Sequence, residues 1–149
     1  MNHQEFIVKY LGKPVDFDGR YGAQCVDLIR MYIKDVYGIS LQPEGVEGAQ
    51  EFYTKHDDRP RQKALFNRIT YTGNLQPPQG ALLVFGANKD NGYYGHIAIC
   101  HKADHKSITV YEQDGIANSK ALKDGRPQKG MYENTWRYDN LLGWLIPKE

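Results

Sequence analysis

The sequence predicts an α+β chain, with its helices first and an antiparallel sheet after them. Apolar residues recur at helical spacing in two early stretches: Phe6, Ile7, Tyr10 and Leu11, then Leu28, Ile29, Tyr32, Ile33 and Val36. From Phe66 onward they come instead in short runs between turn-forming residues, as strands do. Helices followed by strands, without βα alternation, indicate a segregated layout and not a parallel sheet. No repeat, linker or low-complexity segment interrupts the 149 residues, a length that suits one domain spanning residues 1–149.

Each element has its own justification. Asn2 and Glu5 stand at capping-box spacing before the first helix, and Gly12 suits the left-handed position after it, ahead of Lys13-Pro14. The second helix is the strongest: it begins at about Cys25–Asp27 and runs to Gly38, with Asp27 near the positive end of its dipole. Residues 40–63 are polar and mixed, with a short helix expected around Glu47–Tyr53 and a charged surface stretch over Lys55–Lys63. Strands are expected at Asn67–Tyr71, Ala81–Phe85, Gly95–Cys100, Ile108–Gln113, Thr135–Tyr138 and Leu141–Ile146. Turns fall at Leu75–Gly80, Asn91-Gly92 and Asp104–Lys106, and Lys120–Gly130 reads as a charged, glycine-bearing loop.

Composition removes several function classes. With 19 basic and 18 acidic side chains the net charge is +1, so no overall charge favours nucleic acid. No apolar run approaches the roughly 18–20 residues needed to span a bilayer. The N-terminus lacks the basic region and apolar core of a signal peptide, so synthesis in a cytoplasm is expected, with any export by another route. Cys25 and Cys100 do not make a disulfide framework; both are expected reduced, with Cys100 packed in the core. Eleven tyrosines and two tryptophans suit a carbohydrate or peptide groove, and equally suit plain β-structure.

Chemistry concentrates in residues 16–27. A thiol attacks well only as thiolate, which a helix N-terminus and a neighbouring imidazole both favour. Cys25 has the first by position. Of five histidines, His3, His56, His101 and His105 lie in polar or terminal surroundings and read as surface residues. His96 differs, because it opens an apolar strand directly after Gly95, whose small size leaves the ring approachable. A hairpin turn centred on His105 would set His96 opposite Asp114, with Glu112 diagonally across on the same sheet face. A carboxylate there fixes the imidazole tautomer and stabilises the imidazolium. A one-residue slip would change that pairing, and solvated strand-end charges are the bland alternative.

The same loop places Asp16, Asp18 and Asp27 at positions 1, 3 and 12 of a twelve-residue count. Arg20 and Gly22 fall at 5 and 7, where only main-chain carbonyls would serve. This is the oxygen-ligand layout of a calcium loop. It departs from the EF-hand, since Tyr21 stands where glycine is expected, an Asp replaces the final Glu, and no helix precedes it. By spacing alone, a calcium site and a turn of capped aspartates are equally good readings.

Gln24-Cys25-Val26-Asp27, Gly95-His96-Ile97-Ala98-Ile99 and Tyr111-Glu112-Gln113-Asp114, in that order, resemble the CHAP domains, cysteine- and histidine-dependent amidohydrolase/peptidases of papain-like fold. Pro78–Phe85 resembles the strand before the histidine hairpin, and Gly143-Trp144 the closing strand. The resemblance implies Cys25 as nucleophile, His96 as general base and then acid, and Glu112 as the residue that orients His96. Many members carry Asn where this chain has Asp114, which leaves Asp114 either sharing that role or only occupying the place. Backbone amides at the helix start would hold the oxyanion, with Gln24 either assisting or structural. Some phage members have calcium in this segment, which favours Ca2+ on Asp16, Asp18, Arg20, Gly22 and Asp27.

The resemblance further implies cleavage of amide bonds in peptidoglycan, as in phage lysins that leave the cytoplasm through a holin or travel with the virion. The wall-targeting part would then be the groove itself, a separate subunit or a larger parent protein. Two other readings stay open: an intracellular amidase on glutathione–polyamine conjugates, and a non-catalytic wall-binding or structural module. A non-catalytic module has no need of Cys25, His96 and Glu112 together.

Overall fold

A computed structural model describes residues 1–41 and 44–149; of the polar stretch 40–63, positions 42 and 43 lie outside the described residues. Two helices lead the chain, α1 (His3–Tyr10) and α2 (Cys25–Tyr37). Two short ones follow, α3 (Glu51–Thr54) and α4 (Pro60–Leu65). The strands are β1 (Phe66–Thr70), β2 (Leu82–Phe85), β3 (His96–Ala103) and β4 (Ile108–Glu112), then, after helix α5 (Gly115–Lys123), β5 (Tyr132–Trp136) and β6 (Leu141–Pro147). They form one six-stranded sheet in the order β1-β6-β2-β3-β4-β5, with every neighbouring pair antiparallel. The α+β expectation therefore holds.

Local chemistry sets the helix ends. Asn2 and Glu5 make the reciprocal capping box of α1, with N–H to oxygen distances of 2.8 and 3.0 Å. Helix α2 stops at Gly38, whose φ of +67° turns its N–H back onto Ile33 and Lys34. The apolar stripe of α2 (Leu28, Ile29, Tyr32, Ile33) packs with Phe6 and Ile7 of α1 against Leu82, Val84, Ile97, Ile99 and Leu145. The alternate strand residues Leu83, Phe85, Ala98, Cys100, Val110 and Trp144 build a second core on the other face. Each such fully buried side chain contributes roughly 1.5–3 kcal/mol, so the helix–sheet contact fixes where α2 begins over the sheet.

Several sequence expectations are corrected. Lys55–Lys63 is exposed at Lys55, Asp57, Asp58, Arg61 and Lys63 as expected, but it folds as a 3-10 turn followed by α4, with His56, Arg59 and Gln62 buried. Arg59 donates to Gln62 Oε1 and the Gly45 carbonyl and lies 5.0 Å over the Phe52 ring. Its partners are polar, so no apolar period announces the helix. The expected Glu47–Tyr53 helix is the shorter α3, and β5 begins at Tyr132 and not at Thr135. The stretch read as a loop from Lys120 is partly the end of α5.

His3 is not a surface residue either. It is buried with Nδ1 2.8 Å from the Tyr32 hydroxyl and Nε2 3.0 Å from His101 Nδ1. Burial, with His101 beside it, pushes its pKa down to about 4. Cys100 is buried as core packing, and neither cysteine is in a disulfide. Among the described residues no helix is long and apolar enough to cross a membrane.

Candidate active site

Antiparallel pairing puts the start of β3 and the end of β4 at one end of the sheet, and α2 delivers its N-terminus there. The register Ile99–Tyr111 and Cys100–Val110 is the one expected from a turn at His105; a bulge after Cys100 alters only the far end. His96 and Glu112 therefore meet diagonally, with His96 Nε2 3.0 Å from Glu112 Oε1. The Cys25 side chain lies close enough to the same imidazole to raise its pKa. With Nε2 on the carboxylate, Nδ1 is the nitrogen left for the thiol.

Gly95 makes this possible for a reason other than its small profile beside the ring. Its φ is +79°, and a Cβ there would come within 2.8 Å of Gln50 N and Phe85 O. Burial alone would lower the His96 pKa, but the hydrogen bonds and charges of Cys25 and Glu112 raise it to about 10. Glu112 is 1% exposed, and burial works against its charge. Bonds from His96, Trp136 and Asn134 nevertheless bring its pKa below the usual value.

Asp114 does not face His96. Its carboxylate accepts the Ala117 N–H at 3.0 Å as N-cap of α5, because the chain leaves the strand after Glu112 and turns into that helix. The Gln24 N–H is given to Asp27 Oδ2 at 2.9 Å, and the Gln24 carbonyl accepts from Gln113 Nε2 at 2.9 Å. Any contribution of Gln24 to an oxyanion would thus have to come from its side chain.

Sequence reading missed the residues that tie the nucleophile loop to the sheet. Gln113 is fully buried and also bonds both main-chain groups of Val15, at 2.7 and 2.9 Å. Asn118 of α5 donates to the Ala23 carbonyl at 2.7 Å, and Gln128 accepts the Ala23 N–H at 2.6 Å. A polar residue between Glu112 and Asp114 gave no hydropathic signal; its place next to a candidate carboxylate was the one available hint.

Below this site Asp16, Asp18 and Asp27 come together, with one ligand oxygen from each within 4.8 Å of the others. Asp27 is 3% exposed, and burial raises its pKa to about 7 against the help of the Gln24 amide, with Asp18 and Asp16 adding to the rise. Asp16 is also raised, first by burial and then by Asp18. Arg20 donates its amide to Asp18 at 2.8 Å, and Gly22, at φ +82°, turns against Asn118 and Gln128. Three mutually repelling carboxylates, one of them buried, fit a hard divalent cation in their donor chemistry.

A cysteine at a helix start, beside an imidazole that a buried carboxylate holds, is an arrangement from which thiol acyl-transfer chemistry is built. The model of the CHAP domain family matches residues 14–114, and the chain belongs to that family. Solved structures agree on the fold. A wild-type endolysin, LysIME-EF1, superposes with TM-score 0.69 at 22% identity, over 96% of this chain and 61% of that one. Ly7917, solved with the hydrolysing product of MDP, gives TM-score 0.62 at 14% identity, over 95% of this chain and 60% of that one. This chain spans about three-fifths of the length of these relatives.

Proposed function

We propose that this chain is a peptidoglycan hydrolase that cuts an amide bond in the stem peptide or cross-bridge of the bacterial wall. The convergence of Cys25, His96 and Glu112 carries the reading, and family membership together with the endolysin fold supports it. Cys25 gives its proton to His96 Nδ1 and its sulfur attacks the amide carbonyl. First-turn amides of α2, which have no intrahelical acceptor, receive the oxyanion. As the C–N bond breaks, His96 passes the proton to the leaving amine. Water, deprotonated by the same imidazole, then hydrolyses the thioester and restores the thiol. Glu112 keeps the ring in the tautomer and orientation that both transfers require.

Asp16, Asp18 and Asp27, with the main-chain carbonyls of Arg20 and Gly22, would hold Ca2+. Bound there, the ion supplies positive charge that lets three adjacent carboxylates ionise, ordering the loop ahead of Cys25. The protein would act at the cell wall after release by a holin or with the virion.

The test is release of soluble peptides and new free amines from purified walls, by wild type and Cys25→Ala, each with calcium or chelator. Cys25-dependent release is expected, and the exposed amine identifies the bond. No release from any wall type would sink the assignment.

A further inference from the structure

Glu112 is held by more than His96. Its Oε1 accepts Trp136 Nε1 at 2.5 Å, and its Oε2 accepts Asn134 Nδ2 at 3.1 Å. Burial and then the Glu112 charge raise the Tyr132 pKa, which puts its hydroxyl in the neighbourhood of the same carboxylate. Tyr132, Asn134 and Trp136 are alternate residues of β5, so one face of that strand is given over to a single buried carboxylate. The Asn134 amide is itself fixed: its oxygen accepts the Thr135 N–H at 2.9 Å, which leaves the NH2 group to face Glu112. The Trp136 ring lies 5.9 Å from the His96 ring and 5.6 Å from Phe85, which is 6.1 Å from His96, closing a triangle of rings about the imidazole.

We propose that Asn134 and Trp136 are positioning residues, which hold the Glu112 carboxylate so that its Oε1 meets His96 Nε2. The inference rests on the reading of Cys25, His96 and Glu112 as the hydrolytic set. A carboxylate has about four acceptor directions, and the β5 donors occupy one on each oxygen, which fixes how Oε1 is turned toward the imidazole. Without them the buried carboxylate would rotate to seek other donors, since an incompletely bonded charge in the interior is costly. The imidazole would then lose the partner that sets its tautomer. Asp114, engaged on the amide of Ala117, is not available to take the place of Glu112 beside the imidazole.

Trp136→Phe keeps an aromatic ring and removes the N–H; Asn134→Ala removes the amide, and Asn134→Ser restores a donor. Both deletions are expected to lower kcat on solubilised wall fragments about 10-fold, the equivalent of one hydrogen bond to a charged group, with KM unchanged. Asn134→Ser should recover part of the loss. The second readout does not depend on substrate: the low-field proton resonance of the His96 Nε2–H, identified by its absence in His96→Ala. It should shift or broaden in both deletion variants while thermal unfolding remains cooperative. An unmoved resonance overturns the proposal even if the wild type shows no hydrolysis. So does a rise in KM alone for Trp136→Phe, which would make the half-exposed ring a substrate contact. If wild type hydrolyses nothing yet the resonance moves as expected, the functional reading fails and the positioning of Glu112 stands.

Discussion

Two buried carboxylates stand close to Cys25 in very different conditions. Glu112 is 1% exposed and Asp27 is 3% exposed, yet the pKa of the first is lowered and that of the second is raised to about 7. Burial is therefore not what separates them. Glu112 faces donors from β3 and β5, while Asp27 receives one backbone amide and faces two more acids. The sheet side of the site completes its carboxylate's bonds with donors. The loop side sets three acids together, with Arg30 as the charge that acts on Asp27 and Asp18, and is where the proposed cation would complete the balance. Structure and cation dependence should divide along that line.

The largest effect expected is on the thiol that both sides serve. Cys25→Ala should reduce wall hydrolysis by at least about 10⁴-fold, measured as amine release, without changing the midpoint of thermal unfolding by more than a degree or two. Breaking the complete side comes next. Glu112→Gln should lower kcat/KM about 10²–10⁴-fold. It should also move the alkaline limb of the pH profile down from near pH 10, because the negative charge that helps His96 keep its proton is gone. The sign follows from a raised imidazole: its contribution to stability and to proton donation is full below its ordinary 6.5 and is lost as pH rises through about 10. An alkaline limb that stays in place in the Gln variant would detach Glu112 from His96.

The incomplete side is tested by the ion. Calcium at about 100 times its dissociation constant should raise the unfolding midpoint by about 5–10 °C over chelated protein, read by calorimetry, and chelation should lower activity. Asp27→Asn should abolish that rise. In chelator the same variant should be more stable than wild type above about pH 7, where the buried carboxylate is forced to ionise in the fold and the amide is not. A calcium response that survives Asp27→Asn would remove Asp27 from the ligand set. The smallest effect is expected at Asp114: Asp114→Ala should cost about 1 kcal/mol of stability as a lost helix cap, with activity within about twofold. A loss comparable to that of Glu112→Gln would return Asp114 to the orienting role.

The candidate set of Cys25, His96 and Glu112 was legible in the sequence where local periods decide geometry. Cys25 was placed by the apolar stripe that follows it, and Glu112 by period-two alternation across a hairpin whose turn was visible at Asp104–Lys106. Asn134 and Trp136 were not legible, because their register on β4 lies beyond α5. That helix has few apolar residues facing inward: Ile116 and Leu122 are exposed, and its buried contacts are Asn118 and Ala121. Gln113, Asn118 and Arg59 share the same history. A buried polar side chain satisfied by distant main-chain groups leaves no pattern in the neighbouring residues, since its partners are brought to it only by the finished fold.

The place of β6 has a consequence for the protein's biosynthesis. This strand, the latest of the six in sequence order, lies between β1 and β2, and β2 is the neighbour on which the His96 strand is laid. Cys25 and His96 are thus synthesised before the strand that joins β1 to β2. Such non-local closure is slow and comes late. A chain ending before Leu141 would leave β1 without its partner in the sheet and β2 paired along one edge only.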